Sequence, residues 1–246
     1  MGIFHFPRIV ADGLVFYFDG KNPKSYTSPN TYLDDLINKR RLTAFRNSGA
    51  ITYSDNALVF GNGANDFYAY TAMTCSYNPM YLNKANTSAF VTFYNTANAD
   101  SSTPGYFRQT PFSFGTDSRL GGWQFEKFAQ DTNIVFRDHH DQSGIYGDQH
   151  TIGSISLNTW YQAGYVNNGK DTILYLNGVE AARYDVSYST LTTPSDNSFL
   201  TIGAAGATDI IYGFVGKVAT AMFYQKALSA GEVKQNYEFI RRRYNI

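Results

Sequence analysis

The chain has 246 residues, a formal net charge of zero, 17% aromatic residues and only 16% charged ones. That length supports one large domain, and a neutral chain builds none of the positive field that nucleic-acid binding requires. Low charge with abundant Tyr, Phe, Thr, Asn and Gly excludes a helical bundle or a disordered tail and fits sheets joined by turns.

Residues 1–11 read as an N-terminal extension rich in Phe, Ile and Val, a candidate arm for docking to another subunit, and residues 12–246 as a single domain. Met1 to Pro7 lacks a basic head followed by a sustained apolar run, so no secretory signal is read there. Phe6 stands where a myristoylation signal wants Ser or Thr. No segment approaches the ~20 apolar residues of a membrane span.

Leu14 to Phe18 is an apolar run of strand length, closed by Asp19-Gly20 and Asn22-Pro23 turn chemistry. Leu33 to Ile37 is expected as one helical turn. Ala57 to Phe60 and Asp66 to Tyr70 flank Gly61-Asn62-Gly63, which predicts a hairpin or tight loop. Cys75 stands alone, which rules out an internal disulfide, and is expected as a small buried hydrophobe. Further strands are predicted over Ser88 to Tyr94, Gly122 to Phe128, Asn133 to Arg137, Trp160 to Val166 and Thr172 to Leu176. Asn177-Gly178 accepts positive φ at both central positions, so a type I′ hairpin should set Leu176 opposite Val179.

The period then changes. Ser229 followed by Glu232 is a capping-box pattern at a helix start. Val233, Tyr237, Ile240 and Tyr244 recur at helical spacing, and Arg241, Arg242 and Arg243 fall in the last turn, where cations suit the helix dipole. The arginine run is therefore read as a helix end before it is read as a binding patch.

Two groups of residues carry candidate chemistry. Trp123 follows Gly121-Gly122 and lies near Asp117 and Arg119. An aromatic ring flanked by such hydrogen-bonding groups suits a saccharide, and Tyr146 is a further candidate contact. The alternative for Trp123 is a place in the core, which is expected for Trp160. The segment Asp138 to His150 holds three of the four histidines and three aspartates, but its spacing matches no zinc finger or EF-hand. It reads first as a polar loop, with Asp138, His139 and Asp141 as the ligands if an ion is held.

Asp12 to Tyr26 resembles the opening strand and turn of the concanavalin A-like lectin/glucanase superfamily, and more narrowly its laminin-G-like jelly rolls of large phage genomes. Leu58 to Phe67 is similar to that family's Phe-Asp-Gly-Thr-Asp-Asp-Tyr loop, with Gly61 where the family usually has Asp. Trp160, the Leu174 to Gly178 hairpin, Gly213 to Lys217 and Tyr224 to Tyr237 follow in the family's order. The resemblance implies an all-β jelly-roll sandwich of two antiparallel sheets with a C-terminal helix. It also implies calcium as the ion, if any, at the Asp138 loop.

Fold alone does not give function. The glucanase branch of this family sets Glu-x-Asp-x-x-Glu along one strand, and the four glutamates here, Glu126, Glu180, Glu232 and Glu238, do not form it. Gln149-His150 and Tyr161 to Tyr165 have a faint similarity to alginate-lyase strands, but the second is better explained as the Trp-led strand of the laminin-G-like pattern. The opening Phe6 to Gly13 resembles phage virion proteins. The expectation is thus a non-enzymatic virion structural protein of capsid, neck or tail, synthesised in the host cytoplasm and found outside after lysis. Its partners would be other virion proteins or further copies of itself, and host-surface glycans, with weak sites multiplied by copy number. A polysaccharide-active enzyme and a purely structural module are the alternatives.

Overall fold

The computed structural model describes residues 8–26, 32–46, 51–61, 71–76, 85–98, 108–115, 122–128, 132–138, 148–185, 199–205 and 212–246. Among them are sixteen strands and one helix. The strands are β1 (Leu14–Asp19), β2 (Tyr32–Asp34), β3 (Arg41–Arg46), β4 (Ile51–Ser54), β5 (Ala57–Phe60), β6 (Thr71–Ser76), β7 (Thr87–Asn95), β8 (Arg108–Gly115), β9 (Trp123–Phe128), β10 (Asn133–Asp138), β11 (Asp148–Ser154), β12 (Trp160–Asn167), β13 (Asp171–Leu176), β14 (Val179–Asp185), β15 (Phe199–Ile202) and β16 (Gly216–Tyr224). Helix α1 spans Ala230–Tyr244.

The strands pair antiparallel in two eight-stranded sheets. The back sheet runs β14-β13-β12-β7-β16-β5-β4, with β1 beside the far end of β16. The front sheet runs β11-β10-β9-β8-β15-β6-β3-β2. Alternation along each strand sends one set of side chains between the sheets. Phe16, Phe18, Phe93 and Phe223 from the back sheet meet Phe112, Phe114, Trp123, Phe125 and Phe136 from the front one. Ring pairs lock this layer, with Phe114 stacked on Phe223 at 6.0 Å and Trp123 edge-on to Phe112 at 5.0 Å.

Helix α1 covers the outer face of the back sheet, where Val233 and Ile240 pack with Tyr17, Phe90, Tyr175, Met222 and Tyr224. Its capping box is formed as expected by Ser229 and Glu232. Val233, Asn236 and Ile240 are the fully buried helix residues. Tyr237, expected on that face, stays half-buried. Asn236 fits because both ends of its amide are used: Nδ2 donates to the Tyr224 hydroxyl and Oδ1 accepts from the Val10 backbone N–H. Residues 8–11, read from sequence as part of the extension, are thereby tied to the helix, Val10 being buried in the same cluster.

The Asn177-Gly178 hairpin has the expected register, Leu176 opposite Val179, with φ of 52° and 75° at its two central residues. Leu33 to Ile37 departs from the helical expectation. Tyr32–Asp34 is a strand, and the Asp35 carboxylate ends it by accepting from the Tyr17, Ile37 and Asn38 N–H groups. The tight hairpin next to β5 lies before it, at Asp55-Asn56, where φ is 53° and 61°. Both sides of β5 are taken by β4 and β16, and the Asp66 to Tyr70 segment lies outside the described residues. Trp160 is not in the core. It is half-buried on the outer face of the back sheet, 5.3 Å from the Tyr94 ring, because its register partner Tyr94 faces away from inward-pointing Phe93.

Candidate functional site

Among the described residues no helix lies on the front sheet's outer face, and its register lines up one polar row across all eight strands. Tyr32 pairs with Thr43, Thr43 with Thr74, Thr74 with Thr201 and Thr201 with Ser113. The row continues from Ser113 to Gln124, Arg137 and Gln149. These positions alternate with the inward residues Leu42, Met73, Ile202, Phe112, Phe125 and Phe136, so one parity of each strand builds the core and the other builds this row.

At the β8–β11 end the face is closed. Glu126, fully buried, accepts from Arg137 Nε at 2.9 Å on one oxygen. Its other oxygen accepts from Gln124 Nε2 at 2.5 Å and from Arg108 Nη1 at 3.4 Å. Arg137, also buried, donates from Nη2 to Gln149 Oε1 at 2.8 Å. Arg108 lies 5.1 Å from the ring centroids of both Phe128 and Tyr212. Two guanidinium groups and one amide engage both carboxylate oxygens, which suits Glu126 to a structural role.

At the β2 end the face opens. Residues 23–26 run beside β2: the Asp34 N–H donates to the Ser25 carbonyl at 2.8 Å, and the Ser25 hydroxyl donates to the Asp34 carbonyl at 3.1 Å. This covers the sheet edge and forms a cleft of about 350 Å³ lined by Pro23, Lys24, Ser25, Tyr26, Tyr32, Asp34 and Lys39. The volume lies at the low end of the ~300–1,000 Å³ range of small-ligand sites. Tyr26 is fixed by Tyr53, whose ring lies 5.1 Å away and whose hydroxyl donates to the Gly20 carbonyl at 2.6 Å. Burial, with Asp19 next in effect, raises the Tyr53 pKa, so this phenol stays a donor. Arg41 binds both oxygens of Asp34, at 3.0 and 3.3 Å, and stacks 3.7 Å over the Tyr32 ring centroid. The hydrogen bond to Asp34 raises the Arg41 pKa further.

The sequence-predicted site residues do not assemble here. Trp123 is buried, with rings of Phe112, Phe125, Tyr165 and Phe223 within 5.8 Å of its own. A ring packed on that many sides offers no face to a sugar, so the saccharide-stacking role is withdrawn and the core alternative holds. Asp117, Arg119 and Tyr146 lie outside the described residues, as do His139 and Asp141. Asp138 ends β10 opposite Asp148. Among the described residues no three His, Cys, Asp or Glu side chains gather as a metal site. Cys75 packs on the core edge, and burial pushes its thiol pKa up to about 12, leaving it inert. Sequence reasoning missed the cleft because its residues come from the β1–β2 loop, from β2 and from the β2–β3 turn, with no motif joining them.

Comparison with solved structures finds the same fold in binding domains. The binding domain of botulinum neurotoxin DC in complex with SialylT superposes with a TM-score of 0.63 at 11% identity, over 92% of this chain and 51% of that one. The botulinum neurotoxin type G receptor binding domain gives 0.57 at 13% identity, over 93% and 52%. Domain 4 of AbnA, a GH43 extracellular arabinanase from Geobacillus stearothermophilus, in complex with arabinotriose, gives 0.60 at 15% identity, over 91% and 98%. This chain thus spans about half the length of the neurotoxin domains and nearly all of the arabinanase domain. A search of curated protein sequences finds no match. A laminin-G family model, described as concanavalin A-like lectin/glucanases superfamily, matches residues 70–234, well over half of the sequence. With two antiparallel sheets, a polar front face and a C-terminal helix behind, the chain belongs to the concanavalin A-like lectin/glucanases superfamily.

Proposed function

We propose that this chain is a non-catalytic carbohydrate-binding module and that the β2-edge cleft is where it holds the sugar. The cleft itself carries the proposal: two tyrosines, a carboxylate and two ammonium groups surround a space of ligand size. Tyrosine rings supply apolar surface for a pyranose face, and the charged and hydroxyl groups supply hydrogen bonds to its rim. The lectin-like fold and the glycan ligands named for its structural neighbours support the class. The test is binding to an immobilised glycan panel with and without EDTA, for the wild type and Tyr32→Ala. Saturable binding that survives EDTA and weakens at least about tenfold, or 1.4 kcal/mol, in Tyr32→Ala is expected. Binding that Tyr32→Ala retains and EDTA abolishes would move the site to the Asp138 to His150 loop.

We further propose that the module serves in a virion, docking through its N-terminal segment and presenting many copies to host glycans. The resemblance of Phe6 to Gly13 to phage virion proteins supports this. Because the Arg8 carbonyl accepts from Gln235 and Val10 packs under α1, the clean deletion is residues 1–7, not 1–11. It should leave a folded domain that no longer enters particles; incorporation of the truncated form would refute the docking role.

A further inference from the structure

The charges around the cleft do not balance. Asp34 contributes one negative charge, and Arg41 neutralises it through two hydrogen bonds. Lys24 and Lys39 remain, both exposed and both lining the cleft. Among the described residues neither ammonium has a carboxylate partner; Lys39 Nζ instead donates to the Leu36 carbonyl at 3.2 Å. The Lys39 backbone is left-handed, φ 56°, in a turn closed by its N–H to the Asp35 carbonyl. Glycine or asparagine fits such a position with less strain, so lysine there is not explained by the turn.

We propose that the cleft selects carboxylate-bearing sugars, with Lys24 and Lys39 as the pair that reads the acid and Tyr32 as the wall against the ring. This rests on the carbohydrate-binding reading above and narrows it to a ligand class. A carboxylate entering the cleft meets two cations and no uncompensated anion, whereas a neutral sugar offers those cations only uncharged oxygens. Arg41 does not compete for the ligand, since Asp34 and the Tyr32 ring already engage it.

The experiment compares matched polymers on the full chain: polygalacturonate, alginate and polysialic acid, each against its methyl ester, with polyglutamate and a neutral glycan panel alongside. Kd is measured at 50 and 200 mM salt. At least one acid form should bind ten or more times tighter than its ester, with the gap shrinking at the higher salt. Lys24→Gln/Lys39→Gln should erase the gap, costing the acid form far more affinity than its ester, and should leave the thermal midpoint unchanged, both side chains being exposed. Equal binding of acid and ester in all three pairs, or a preference that survives in the double variant, overturns the inference. So does polyglutamate competing as well as the acidic polysaccharide, because charge alone would then suffice. If neutral glycans bind and acidic ones do not, only the acid selectivity falls. If no glycan binds at all, the carbohydrate-binding reading falls with it.

Discussion

Replacing Glu126 by glutamine removes one charge from the closed half of the front face and changes almost no volume. In the wild type the carboxylate faces Arg137 at 2.9 Å and Arg108 at 3.4 Å, with Glu126 fully buried and Arg137 only 3% exposed. The amide takes the Glu126 charge away from buried Arg137, and one end of it points N–H donors at other donors. Breaking a buried pair in this way costs about 3–5 kcal/mol. With a urea m-value of about 3 kcal/mol per M, the unfolding midpoint should fall by about 1–1.7 M. The double variant Glu126→Gln/Arg137→Met removes both charges and should recover most of that loss, as buried pairs often do when both partners go. Urea titrations followed by tryptophan fluorescence suit the measurement, because Trp123 lies in the core on β9, the strand that also carries Glu126. A single variant within about 0.3 M of wild type, or a double variant as weak as the sum of its parts, would refute the view that this ion cluster holds the sheet.

Two further substitutions probe the back of the molecule. Gly178 has φ of +75°, and an added Cβ would lie 2.7 Å from Tyr237 Cβ. Gly178→Ala should therefore cost about 1–2 kcal/mol from backbone handedness alone, or about 2–8 °C in thermal midpoint at this size. Gly61→Ala, with nothing within 4 Å of the new atom, should leave the midpoint within about 1–2 °C; equal shifts would contradict the geometry. The Glu232 pKa is held below its ordinary 4.5 by Lys226 and then by the Ser229 backbone N–H. A lowered folded-state pKa gives stability that is complete above the ordinary value and disappears as pH falls through the lowered one. Denaturation of wild type and Glu232→Gln should thus differ at pH 7 and converge as pH falls below about 4.5; a constant difference down to pH 2 would exclude the ionised cap.

What the sequence revealed was whatever chemistry acts over a few residues. Asn177-Gly178 and Ser229 to Glu232 fix their turn and cap by local φ preference and local hydrogen bonds, and both are present. Leu33, Leu36 and Ile37 have helical spacing, yet Leu33 pairs with Leu42 in a strand and the Asp35 carboxylate is spent on turn N–H groups. β8 was not predicted; it contains Pro111, next to a register shift between Gln109 and Phe112. Trp123 takes the core place and Trp160, expected there, does not, for a reason that is not local. Trp123 shares parity with Phe125 and Trp160 with Tyr94, and only the pairing of the sheets decides which parity faces inward. Lys24 and Lys39 meet for the same kind of reason, since β2 folds back between them.

The two halves of the front face differ in what their polar groups have left to give. A buried polar group is stable only when its hydrogen bonds are made, and those that close the β8–β11 half are already committed to one another. Hydrolysis of a glycosidic bond needs two carboxyl groups about 5–9.5 Å apart, at least one of them free to carry a proton. Glu126 is engaged by two guanidinium groups and Asp34 by one. Ligand-binding capacity therefore belongs where side chains keep their solvent contact. On the described front face that is the β2 edge, where three strand residues and a crossing loop leave tyrosine rings and lysine ammonium groups around an open space.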